Sequence, residues 1–170
     1  MCINSRVILQ LLLTGTLGCI GFTSAAEQSQ SEPKFAELSP KDTAQLDLQR
    51  ALIAGVARQR YSSSLTRTTK DLAILQRLID DSVFNKSQAY ELQSLGVAFG
   101  DVLSSALPLH WVMITDEYGT DPTLRYKKTS VNVNALTMIS KRVERGERVS
   151  LSELLHSTRE LLTNADEKSR

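Results

Sequence analysis

The sequence predicts an α+β fold: a mostly helical single domain of about five helices with a small antiparallel β-hairpin sheet. Three observations carry that prediction. Apolar residues recur at three- and four-residue spacing in several separate stretches, which is the period of one helix face. Residues 111–114 form a short aromatic and β-branched run followed by turn-forming Asp and Gly. Ser150 with Glu153 opens a last helix with a capping box.

Residues 1–26 stand apart and are excluded from the fold. Arg6 precedes a run from Val7 to Leu13 that is apolar except for Gln10 and continues through Leu17, Ile20 and Phe22. Ser24 and Ala26 then put small residues where a signal peptidase needs them, before Glu27. The pattern is that of a secretory signal peptide cleaved after Ala26, too short and too interrupted by Gly and Thr to make a good membrane span. Removing 26 of 170 residues leaves 144, one domain by size, able to bury roughly 68–70% of its unfolded surface. Both cysteines, Cys2 and Cys19, fall in the removed part, so the mature chain is expected to have no thiol, disulfide or Cys-ligated metal. A rival reading starts from Thr16-Leu17-Gly18-Cys19, which resembles a bacterial lipoprotein box with Cys19 as the lipid-bearing first residue. With Arg6 removed, 19 basic residues balance 19 acidic ones, and no net field steers the chain to nucleic acid or anionic lipid.

The elements follow in order. Residues 27–38 read as a flexible polar lead-in. Ser39 as N-cap and Pro40 at the first helical position begin a helix ending near Arg60, with Leu48, Leu52, Ile53 and Val56 as its apolar stripe. Residues 61–68, rich in Ser and Thr, read as a loop. A second helix takes Leu72, Leu75, Leu78 and Ile79. Asn85 and Gln88 form a capping pair before a third helix, whose face is Leu92, Leu95, Phe99, Val102 and Ala106 and which Pro108 ends. The strand at 111–114 turns through 119–122 into a second strand over 124–133. Leu136, Ile139 and Val143 mark a fourth helix closed by Gly146. In the last helix Val149 can staple onto Leu154, and Leu151, Leu155, Thr158, Leu161 and Leu162 complete the buried face. The domain is expected to span 39–163, with 164–170 a polar tail.

Several patterns invite a chemical reading. Gly96-x-x-x-Gly100, continued by Ser104, lines one helix face with small residues; close packing of another backbone is the expected reason, a ligand on the bare face the alternative. Asp116, Glu117 and Asp121 crowd three carboxylates around Gly119, but the spacing fits no EF-hand, and a hairpin turn accounts for them without a metal. Charge is segregated: from 87 to 123 there are five acids and no Lys or Arg, whereas 124–148 holds seven bases against Glu144 and Glu147. Cross-strand pairing of acids with bases is the plain explanation. The sharper one is an anion site built from Arg125, Lys127, Lys141 and Arg142. His110 could serve as acid or base with Asp101 or Asp116. Trp111, the sole tryptophan, is expected in the core with a partner for its N–H.

Taken together, Gly96-x-x-x-Gly100-Asp101, Trp111, Asp116-x-x-Gly119-x-Asp121-Pro122, Arg125 and Met138-Ile139-x-Lys141-Arg142-x-Glu144-x-Gly146-Glu147 resemble the bacterial domain-of-unknown-function family numbered 3806, over roughly residues 70–162. The resemblance implies a bacterial source and, with the signal peptide, a periplasmic or envelope protein; it implies no reaction, cofactor or catalytic residue. The reading is therefore an exported, non-enzymatic binding or accessory module, with a membrane-anchored lipoprotein as the alternative location. Asp116, Asp121, Arg125, Lys141 and Arg142 are its candidate binding residues, for an unknown envelope protein or an anionic ligand. No catalytic residue, metal, cofactor, nucleic-acid partner or membrane span after cleavage is expected. The alternatives are a cell-envelope hydrolase using His110 with a nearby Asp, and an immunity or inhibitor protein that binds a toxin by its acidic surface.

Overall fold

Ser39 starts the first helix as its sequence dictates. Its hydroxyl accepts the Asp42 N–H while its own N–H donates to the Asp42 carboxylate at 3.0 Å, a reciprocal capping box with Pro40 inside it. Helix α1 then runs Pro40–Tyr61. The computed structural model describes residues 32–168. The signal peptide, the Cys19 alternative, the first five lead-in residues and the last two residues of the tail lie outside the described part. The remaining order is strand β1 (Lys34–Ala36) before α1, then a single 3₁₀ turn (Thr69–Asp71), α2 (Leu72–Asp80), α3 (Ala89–Ala106), β2 (Leu109–Asp116), β3 (Gly119–Tyr126), β4 (Asn132–Val133), α4 (Ala135–Met138), α5 (Ser140–Glu144) and α6 (Leu151–Lys168). Helices α4 and α5 are two halves of the expected fourth helix, interrupted at Ile139. The α+β class, mostly helical, holds.

The sheet is antiparallel throughout, in the order β1-β2-β3-β4. Leu109, Trp111, Leu124, Tyr126 and Val133 share the core with the buried side chains of α3. Helix α3 is buried on nearly every side from Leu92 to Leu103, so it forms the spine between α1, α2, α4 and the sheet. The small-residue face serves close packing, as expected. A Cβ at Gly96 would lie 2.5 Å from the carbonyl oxygens of Ala135 and Leu136, and one at Gly100 would collide with the Trp111 ring. The third residue of that face behaves differently: Ser104 Oγ is buried without a hydrogen bond among the described residues.

Several expectations need correction. Part of the supposed lead-in is ordered sheet: Phe35 pairs opposite Ile114, and the Arg125 guanidinium lies 4.2 Å above its ring, a partner supplied by a strand 90 residues away. The stripe of α1 is rotated. Leu46, Gln49, Ile53 and Ala57 are the buried positions, while Leu48 is 62% exposed, because α3 meets α1 along a face that includes a polar residue. Asn85 and Gln88 bond each other's segment across a turn, and α3 starts one residue after Gln88. The hairpin turn is Glu117–Tyr118, with 119–122 already in β3. Pro122 is tolerated there since β4 reaches only Leu124 and Arg125, leaving that stretch an open edge. The expected second strand breaks at Lys127, whose φ of 51° turns the chain back into β4. In α6 Leu161 is half exposed, and the supposed tail is helical to Lys168, tied down where Asp166 accepts bonds from Tyr126 and Lys127.

Candidate functional site

Strand alternation decides which candidate residues meet. With Trp111 and Leu109 turned to the core, His110 and Asp116 on β2 share the opposite face with Asp121 and Arg125 on β3. Asp116, Asp121 and Arg125 therefore lie on one face of the hairpin, together with the buried Val112 and Thr123. They do not touch. Asp116 sits opposite Gly119, Asp121 opposite Ile114 and Arg125 opposite His110, and four residues of strand separate Asp121 from Arg125 by about 13 Å. The cross-strand neutralisation expected from the charge order is not formed, because the register sets each acid against an uncharged residue.

Two of the three have a local task instead. Asp116 Oδ1 accepts the Tyr118 N–H at 2.8 Å and closes the turn. Arg125 donates to the carbonyls of Thr129 and Lys128 and stacks on Phe35, holding the 127–131 turn against β1. Asp121 is exposed. The His110 arrangement is also not assembled. Asp101 lies beneath the sheet, bonded elsewhere, and Asp116 is six strand residues away, about 20 Å.

Lys141 and Arg142 are brought together, in a groove of about 380 Å³ between β4, the α4–α5 segment and α6. Arg145 is the third base in its wall, and none of the lining residues is acidic. Arg142 donates to the Met138 carbonyl at 2.7 Å, and both residues line the groove. Arg145 pairs with Glu147 outside the lining; that bond raises the arginine and lowers the Glu147 carboxyl from their ordinary pKa values. Asn132 and Asn134 add polar groups, and the half-exposed Leu161 gives an apolar ridge that continues into a second hollow of about 760 Å³ along α6. Lys127 and Arg125 lie outside this groove.

A second charged centre was only half visible in the sequence. Arg50 on α1 clamps Asp101 on α3 with two bonds, Nε to Oδ2 at 2.7 Å and an Nη to Oδ1 at 2.8 Å, and Trp111 Nε1 adds a third at 2.9 Å. Asp101 is nearly buried, and its bond is the main cause that raises the Arg50 pKa above its ordinary value, against the effect of burial. The signal for this centre is one carboxylate inside the otherwise uncharged stretch 95–103, which must find a cation. Among the described residues no group of three or more His, Cys, Asp or Glu is placed to hold a metal, and no helix is long and apolar enough to cross a membrane.

These elements define a two-layer α+β domain in which a helical layer covers one side of a four-stranded antiparallel sheet. Residues 71–154, just under half the chain, match the family described as a domain of unknown function (DUF3806), and this segment is a DUF3806 domain. The match ends short of the expected residue 162. A crystal structure of a protein from Bacteroides thetaiotaomicron VPI-5482 is similar in fold, with a TM-score of 0.69 at 15% identity, over 78% of this chain and 49% of that one. The chain thus spans about half the length of that protein. No curated protein matches the chain.

Proposed function

We propose that this chain is a non-enzymatic binding module of the bacterial envelope, exported through residues 1–26, that holds an acidic segment of a partner protein in the α5–α6 groove. The observation that supports it is the groove wall, which carries Lys141, Arg142 and Arg145 and no acidic residue in its lining. Even with Arg145 paired to Glu147, two cations remain without an ion pair among the described residues. Opposite charge in the partner supplies orientation and on-rate, and Leu161 supplies apolar contact area. Asp116 and Arg125 then serve the hairpin and its following turn rather than the groove.

A fluorescein-labelled peptide alternating Glu with Leu, and its Lys-for-Glu counterpart, test the reading by anisotropy. The acidic peptide is expected to bind in a salt-sensitive manner, and Lys141→Glu with Arg142→Glu to weaken it by about tenfold or more. Equal binding of the two peptides, or indifference to the charge reversal, sinks the proposal. Intact mass of the exported protein checks its address: a chain starting at Glu27 supports simple cleavage, and an acylated chain starting at Cys19 replaces it with a lipid anchor.

A further inference from the structure

A cavity of about 350 Å³ opens between α1, the 62–68 loop and α3, on the far side of the Arg50–Asp101 clamp. Its walls carry charge of both signs over a small apolar floor that includes Leu65 and Ala98. Asp71 builds the loop from below. Its two oxygens accept the N–H and hydroxyl of Thr66 and the N–H of Arg67, all at 2.7–2.9 Å, and Arg67 is held at φ 58°, in the left-handed region. A backbone in that region on a non-glycine residue is kept only where the surroundings impose it. Here it sets the Arg67 side chain in the cavity lining.

Asp71 accepts from Thr66 and Arg67, and Asp101 from Arg50 and Trp111, so both buried carboxylates already have several donors. Arg50, with its side chain only 14% exposed, uses three of its N–H groups on Asp101 and Asp47 and keeps the others. Arg67 makes no hydrogen bond with its guanidinium among the described residues. It stands 3.9 Å from Asp47 and 3.8 Å from Asp101, close enough for loose ion pairs with both but beyond hydrogen-bond range. Among the described residues Asp47 accepts one hydrogen bond, on Oδ1, where the loose Arg67 ion pair also falls, and its Oδ2 has no hydrogen-bond partner. The site therefore offers spare arginine donors and one spare carboxylate acceptor side by side. Its five charged side chains sum to −1, which disfavours a simple anion, while the spare N–H donors of the two guanidiniums disfavour a simple cation.

We propose that this cavity is a second binding site, for the zwitterion of a free α-amino acid with a short aliphatic side chain. The ligand carboxylate takes the donors of Arg67 and Arg50, its ammonium takes Asp47, and its side chain lies on the apolar floor. Planar guanidiniums favour a carboxylate in that role. The volume is at the lower end of small-molecule sites and accommodates an amino acid. The site lies apart from the α5–α6 groove and does not depend on it. Asp47, Arg50, Leu65 and Arg67 precede the DUF3806 segment, whereas Asp71, Ala98 and Asp101 lie within it, so the ligand would be read partly from outside that domain.

The test compares L-leucine with its two half-molecules, 4-methylpentanoate and 3-methylbutylamine, by calorimetry and by the fluorescence of Trp111, which is bonded to the cavity wall. Leucine is expected to bind saturably, and each half-molecule about tenfold or more weakly, the worth of one lost charge-assisted bond. Arg67→Gln and Asp47→Asn, both at well-exposed side chains, should each weaken leucine by a similar factor and leave the acidic-peptide affinity unchanged. A half-molecule that binds as well as leucine overturns the proposal, as does either variant with unchanged affinity or an absence of saturable leucine binding up to about 10 mM. Because the peptide and amino-acid titrations report on different walls, failure of one is distinguishable from failure of the other.

Discussion

Trp111 Nε1 donates to Asp101 Oδ1 at 2.9 Å, and Arg50 holds the same carboxylate by both of its oxygens. One buried acid thus joins three elements: sheet strand β2, central helix α3 and the N-terminal helix α1. Its position is made possible by Gly100, the residue before it, since the Trp111 ring occupies the space where a Cβ would sit.

Cutting this joint should be costly. Arg50→Met keeps the aliphatic bulk but leaves Asp101 buried with the indole N–H as its remaining close donor and an exposed Arg67 at 3.8 Å. A loss of about 3 kcal/mol is expected, in line with other buried pairs broken from one side. Urea unfolding of the variant measures it; a loss under about 1 kcal/mol would show that α1 is not anchored through Asp101.

Gly96→Ala should destabilise by about 3 kcal/mol or more, at the upper end of overpacking effects, because the clash is with two backbone carbonyls that cannot rotate away. Thermal unfolding followed by circular dichroism reads this out. A near-wild-type melting temperature would mean that α4 slides on α3 without cost.

Gly55→Ala should have the opposite sign. Gly55 lies inside α1 with nothing within 4 Å of an added Cβ. Alanine there reduces the freedom of the unfolded chain and favours the helix, a gain of about 0.5–1 kcal/mol. The same denaturation assay checks it, and any destabilisation would contradict the open space seen at this position.

The N-terminal cap predicts a pH dependence. The Ser39 hydroxyl and then its N–H hold the Asp42 carboxyl below its ordinary value of 3.8. A lowered folded-state pKa stabilises above the unfolded value and loses that contribution as pH falls through the folded one. The stability difference between the wild type and Asp42→Asn should therefore be constant at neutral pH and shrink on acidification below about pH 4. Urea midpoints measured from pH 7 downward test this; a difference that grows in acid would reverse the sign.

Much of the fold was legible because it depends on local rules. Ser39-Pro40, the leucine spacing of α2 and α3, Pro108 and Ser150 speak through caps and periodicity, which need only a few neighbouring residues. The misses share one cause. Lys34–Ala36 is a strand only because β2 and Arg125 are there to receive it, and Leu48 lies outside the core only because α3 meets α1 one residue round the helix. The candidate residues divided the same way. Lys141 and Arg142 are adjacent in sequence and stayed together, whereas register placed Asp116, Asp121 and Arg125 on a common face with Arg125 remote from both acids.

By itself the sequence determined the class of fold, most helix starts and stops, the need for close packing at Gly96 and Gly100, and a segregation of charge around residue 124. Tertiary structure alone decided which charges meet. Asp101 found Arg50, 51 positions earlier, and the arginine left over at position 67 came to stand beside Asp47. Electrostatic pairing depends on distances of a few ångströms, and those are set by how α1, α3 and the sheet dock rather than by any spacing along the chain.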